Sequence, residues 1–202
     1  EEFTSPIMHQ LLKEYTSVID KDNNKGDIFF FNKDNSTFFT FKDSLIEFRA
    51  DVSKITEDER RDMDEFVMFM PYVMCMYTAR HKRGRGGQRE IMERIIEISE
   101  ETGECFYGIS DPFRLNGGTL GYDVRDDWWA FINYDHKRPD NWGDLVKKQC
   151  NRLKSYGMVN FELPEYSLTQ PFQHHVYVPK SAKEDHKRII RTLIKESPME
   201  CD

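Results

Sequence analysis

The stretch that most constrains the fold is Leu115–Asn133, LNGGTLGYDVRDDWWAFIN, which holds two of the three tryptophans. Its paired glycines Gly117 and Gly118 permit left-handed backbone and close approach of another chain segment. Thr119-Leu120-Gly121-Tyr122 and Trp128 to Ile132 have strand composition, and Asp126-Asp127 suits the turn between them. The expectation is a central hairpin with carboxylates at its tip, and a sheet must be built around it.

The segments on either side supply that sheet and its cover. Ile28-Phe29-Phe30-Phe31, the turn Asn32 to Ser36, and Thr37 to Phe41 predict a second hairpin, followed by a strand over Leu45-Ile46-Glu47-Phe48-Arg49. Ile7, Leu11, Tyr15 and Val18 recur at helical spacing and predict a helix over Pro6 to Asp20. Thr56 to Arg80 reads as a long helix, with Thr56 and Glu59 as a capping box and Met63, Phe66, Val67, Met70, Met74 and Tyr77 on one stripe, kinked at Pro71. A helix carrying Ile91, Met92, Ile95 and Ile96 ends at Gly103, and one carrying Trp142, Leu145, Val146, Cys150 and Leu153 ends near Gly157. Strands over Met158 to Leu163 and Phe172 to Val178 precede a last helix with Ser181 and Glu184 as a capping box. The sum is an α+β fold, a mostly antiparallel sheet with helices packed on one face.

A length of 202 residues suits one compact domain over 1–202, and a two-lobed division at about 1–104 and 105–197 is compatible with it. Residues 198–202 read as a flexible tail. A formal charge of -7 argues against a protein coated in basic charge for non-specific nucleic-acid binding, yet leaves room for a local basic groove. Cys75, Cys105, Cys150 and Cys201 are widely spaced, so neither a zinc ribbon nor a disulfide framework is signalled. Reduced thiols, together with the lack of a leader or membrane-length apolar run, point to an intracellular, cytoplasmic location. The chain begins at Glu1 rather than Met, so flanking sequence is expected.

Three stretches could carry chemistry. Asp43, Glu47, Asp126 and Asp127 form the carboxylate set from which a metal-dependent nuclease would draw ligands for a divalent cation. By strand alternation Glu47 shares a face with Leu45 and Arg49, so it either meets water or enters a site. Arg80-His81-Lys82-Arg83-Gly84-Arg85-Gly86-Gly87-Gln88-Arg89 sets glycines before a helix among cations, a pattern that offers backbone amides and guanidinium forks to phosphate. It has no Gly-Lys-Ser/Thr and so is not a Walker loop. Tyr77, Trp128 and Trp129 are candidate stacking surfaces for single-stranded RNA. His174 and His175, adjacent on a strand, point to opposite faces, and one of them, with His136, is a candidate general acid. Cys75 reads as a core residue, and nothing beside it would lower its pKa.

Two of these stretches resemble a family. Thr40-Phe41-Lys42-Asp43-Ser44-Leu45-Ile46-Glu47-Phe48-Arg49 and Asn116-Gly117-Gly118-Thr119-Leu120-Gly121-Tyr122-Asp123-Val124-Arg125-Asp126-Asp127 are similar to the Glu-Phe-Lys/Arg strand and Gly-Gly-x-Leu hairpin of Schlafen-type (AlbA_2-like) domains. Met70-Pro71-Tyr72-Val73 is similar to the helix before the glycine pair in that family. The resemblance implies a metal-dependent endoribonuclease in which Asp43, Glu47 and Asp126 hold Mg²⁺ or Mn²⁺. Arg80, Lys82, Arg83, Arg85 and Arg89 would then contact RNA, and a second Schlafen-like subunit or a homodimer partner is implied. The alternative is a non-catalytic interaction subunit whose aromatic surface around Trp128, Trp129 and Trp142 meets another protein.

Overall fold

The computed structural model describes residues 5–19, 28–42, 45–48, 66–109, 114–115, 136–137, 139–160 and 174–196. Helix α1 (Pro6–Glu14) leads into strand β1 (Thr16–Ile19), and β2 (Ile28–Phe31) and β3 (Thr37–Lys42) form a hairpin. Strands β4 (Leu45–Phe48) and β5 (Phe66–Phe69) pair with each other, and β6 (Tyr72–Thr78) returns to the main sheet. A 3-10 turn (Arg80–Lys82) and a glycine loop join β6 to helix α2 (Gly87–Thr102), which is followed by β7 (Phe106–Ile109). The two short strands β8 (Arg114–Leu115) and β9 (His136–Lys137) pair antiparallel. Helix α3 (Trp142–Ser155), β10 (Val159–Asn160), β11 (His174–Tyr177) and helix α4 (Glu184–Glu196) complete the order. Seven strands make one sheet, ordered β1-β2-β3-β6-β7-β11-β10. All its pairings are antiparallel except β6 with β7, which is parallel and bridged by α2. The α+β expectation holds.

The β2–β3 hairpin forms because its turn satisfies itself. Asn32 Oδ1 accepts from the Thr37 amide, Asp34 Oδ1 accepts from the Ser36 amide, and Asn35 takes the left-handed conformation (φ 56°) that asparagine tolerates. Every residue of β2 is buried, so both faces of this part of the sheet are covered. On one face Ile28, Phe30, Phe39 and Phe41 meet Ile7 and Leu11 of α1 and Ile91, Ile95 and Ile98 of α2. Phe30 stacks on Phe39 with centroids 5.3 Å apart, and Leu153 of α3 joins the same cluster. Phe106 and Val73 carry that core across the parallel junction.

Several predicted elements change type. The helix expected over Thr56 to Arg80 is not a helix in its described part, since Phe66–Phe69 and Tyr72–Thr78 are strands β5 and β6. A buried strand reads as a continuous apolar run, and such a run satisfies a helical stripe as readily as a strand. Pro71 separates the two strands where the sequence suggested a kink, and Met70-Pro71-Tyr72-Val73 is therefore not helical. The first helix stops at Glu14, and Thr16–Ile19 is an edge strand paired with β2. Here β-branched Thr16, Val18 and Ile19 favour extension once a partner strand is available. The expected ends at Gly103 and Gly157 hold, with φ of 77° and 86°. Ser181 does not cap the last helix; its hydroxyl donates to the Glu100 carbonyl. Of the expected central hairpin, residues 116–133 lie outside the described residues.

Candidate anion-binding cleft

The chain builds a positively lined cleft at the turn from β6 to α2. Residues Thr78, Lys82, Arg83, Gly84, Gly86, Gly87, Gln88 and Arg89 line it, joined by Arg152 and Tyr156 from the end of α3. Its volume is about 460 Å³. Gly84 and Gly86 have φ of 80° and 78°, a left-handed backbone that glycine adopts without strain. A Cβ built on either would meet nothing within 4 Å, so both backbones border open space. Gly86 is the N-cap of α2 and no side chain caps that helix. The first turn of a 16-residue helix thus offers amides and the positive end of its dipole to the cleft.

The cations are placed differently. Arg83 donates from Nε to the Thr78 carbonyl at 3.1 Å, and its guanidinium lies over the Tyr77 ring, 5.2 Å from the centroid. Arg89 is exposed and sits 3.8 Å from Glu93, a solvent-screened pair that holds it weakly. Arg85 is exposed on the loop between the two left-handed glycines. Beyond Gly87 the charge reverses. A second cleft, about 780 Å³, is lined by Glu14, Asp34, Glu90, Glu93 and Glu97 against Lys33 and Arg94. A polyanion therefore finds a favourable field on one side of the α2 N-terminus and an unfavourable one on the other.

Among the residues named from sequence, Lys82, Arg83 and Arg89 are brought to one cleft, Arg85 lies on the same loop, and Arg80 begins the 3-10 turn before it. Arg152 and Tyr156 were missed because the α3 segment was read only for its apolar stripe, which the buried Val146, Cys150 and Leu153 do form. The basic signal of Arg152 within Asn151-Arg152-Leu153-Lys154 is no stronger than that of any solvated helix face. The carboxylate set fares otherwise. Asp43, Asp126 and Asp127 lie outside the described residues, and Glu47 is located only as a β4 residue opposite Val67. Among the described residues no group of three or more His, Cys, Asp or Glu could hold a metal ion.

His174 and His175 occupy β11 opposite Ile109 and Gly108 of β7, and both are buried. His174 lies 6.3 Å from the Tyr107 ring, and burial lowers its pKa to about 4, so it is neutral at physiological pH. A neutral imidazole has no proton to give as an imidazolium acid. Cys75, expected in a helical core, belongs to strand β6. No described helix is long and apolar enough to cross a membrane.

No family model and no curated protein matches the chain. Among solved structures, it is similar to a tyrosine-to-phenylalanine mutant of the toxin AtaT, with TM-score 0.42 and 12% identity over 89% of this chain and 81% of that one. The same toxin mutant, bound to the C-terminus of the antitoxin AtaR and acetyl-CoA, matches with TM-score 0.33 and 11% identity. That match covers 72% of this chain, which spans only 60% of the toxin chain's length. Likenesses with TM-scores below 0.5 assign neither fold nor activity. The Schlafen resemblance is not upheld, because no family model and no curated protein matches the chain and the helix it implies at Met70-Pro71-Tyr72-Val73 is not formed. The resemblance rested on short motifs, one of which falls in a segment whose apparent helix is a pair of strands.

Proposed function

We propose that the chain binds the diphosphate of an acyl-coenzyme A on the Arg83–Gln88 loop. The observation that supports this most is the position of the loop. It is the strand-to-helix turn of the parallel β6–α2–β7 unit, at the carboxyl end of β6. Ligands of such units bind outside the carboxyl ends of the strands, where helix N-terminal amides and a crevice coincide. Lys82, Arg83, Arg89 and Arg152 supply the countercharge.

An acyl carrier also needs room for an extended arm. Among the described residues the β6–β7 ladder has two pairs, Tyr72 with Tyr107 and Val73 with Gly108, and β6 runs on through Met74–Thr78 toward the loop. An amide-bearing arm could hydrogen-bond along that run as an added strand does. The absence of Gly-Lys-Ser/Thr disfavours a nucleoside-triphosphate loop, and the single βαβ unit among the described residues disfavours a dinucleotide. The described residues contribute anchoring and orientation, which convert an encounter into an intramolecular geometry.

The test is calorimetric titration of the intact chain with acetyl-coenzyme A. Micromolar binding that Gly86→Val weakens tenfold or more would support the reading; absence of binding would overturn it. A second reading, RNA-backbone contact by the same cations, is favoured by the exposure of Arg83, Arg85 and Arg89. It could accompany cleavage by Asp43, Glu47 and Asp126 with Mg²⁺ or Mn²⁺, or a non-catalytic role in a protein–RNA complex. RNA-dependent mobility shifts without coenzyme binding, followed by metal-dependent cleavage that Glu47→Ala abolishes, would favour its nuclease form.

A further inference from the structure

We infer that Tyr77 is a positioning residue for the phosphate site, acting through Arg83; this rests on the phosphate-binding reading of the cleft. Arginine is a costly phosphate ligand when its long side chain must be ordered at the moment of binding. Here the ordering is done beforehand. Arg83 Nε is engaged by the Thr78 carbonyl at 3.1 Å, which fixes one edge of the guanidinium. Its guanidinium carbon lies over the Tyr77 ring, 5.2 Å from the centroid. Tyr77 itself cannot drift, because it stacks on buried Phe38 with centroids 5.6 Å apart and an interplanar angle of 16°.

The chain of support runs from core to ligand: Phe38 holds Tyr77, Tyr77 and Thr78 hold Arg83, and Arg83 lines the cleft. With Nε occupied, the two terminal nitrogens form the fork that a phosphate can accept from bidentately. Among the described residues no contact engages that fork. Tyr77 therefore need not touch the ligand to govern its affinity. It differs in this from Arg89, whose described partner is the exposed Glu93 carboxylate.

A double-mutant cycle read by calorimetry with coenzyme A tests this. Arg83→Gln should raise Kd about tenfold, and Tyr77→Leu about threefold to fivefold. Tyr77→Leu added to Arg83→Gln should change nothing further, since there is no guanidinium left to orient. Tyr77→Phe, which keeps the ring, should bind as the unaltered chain does. Additive effects in the cycle, or an affinity that Tyr77→Leu leaves unchanged in a folded protein, would overturn the inference while leaving the cleft's phosphate chemistry standing. A second readout is ligand-free: the Arg83 Nε–H resonance should be dispersed by the ring and collapse toward its solvent-exposed position in Tyr77→Leu. Absence of that change would also overturn it. If the unaltered chain binds no coenzyme A, the phosphate reading fails and this inference with it.

Discussion

His174 and Cys105 show how burial at single residues becomes measurable chemistry. The folded pKa of His174 is lowered to about 4 because the buried site penalises the imidazolium. In the unfolded chain the same group takes a proton near pH 6.5, so the unfolded state binds more protons between those values. Stability from this group is therefore complete above about pH 6.5 and is lost as pH falls toward 4, on the order of 3 kcal/mol in all. Urea melts across that range should show a shallower loss for His174→Gln than for the unaltered chain; parallel curves would sink the assignment. Cys105 is pushed up to about 12 by burial and, secondarily, by Glu104, so its thiolate is scarce at neutral pH. Peptide mapping after iodoacetamide at pH 8 should find Cys105 modified only when denaturant is present. At this scale the sequence was informative about charge and poor about burial. The run of arginines was visible as a concentration of positive charge, whereas nothing adjacent to His174 announces a dry environment, because that is created by β7 lying alongside.

Helix α2 and its two glycine ends carry the argument at the scale of elements. Both Gly84 before it and Gly103 after it have positive φ, yet their surroundings differ. A Cβ at Gly84 meets open space, so Gly84→Ala should cost only the backbone term of about 1–2 kcal/mol. A Cβ at Gly103 would come 2.9 Å from the Ser181 carbonyl oxygen, a backbone atom that cannot step aside. Gly103→Ala should therefore cost a further 1–3 kcal/mol, roughly, as an overpacked site does. Equal losses for the two variants in guanidinium denaturation would refute that steric difference. The helix itself was legible, since Ile91, Met92 and Ile95 repeat at helical spacing and Gly103 stops it, although Ile98 and not the expected Ile96 is the fully buried residue of its next turn. The strands β5 and β6 were not. Their Phe, Val, Met and Tyr residues fit either period, and what decides is the ladder offered by β4 to one and by β3 to the other.

The whole molecule carries a net charge of -7, yet the described residues place cations in the cleft on one side of the α2 N-terminus and carboxylates in the cleft on the other. Binding of coenzyme A should accordingly be salt-sensitive, with Kd rising several-fold between about 50 and 500 mM NaCl as the field is screened. Arg152→Gln should weaken binding and flatten that dependence, although the residue lies far along the chain from the loop. A salt-independent Kd would mean that the cleft's charges are not what holds the ligand. What the sequence by itself determined is part of what is local: the aromatic hairpin with its self-bonded turn, two helices with periodic stripes and glycine stops, the α+β class, and a glycine loop set among cations. What only the tertiary structure decided is which segments pair and what the loop faces. The parallel β6–β7 junction, the strand identity of Tyr72–Thr78 and the arrival of Arg152 at the same cleft as Gly86 depend on partners distant in sequence. Hydrogen-bond ladders and desolvation act between segments once they meet, so no local pattern of residues encodes them.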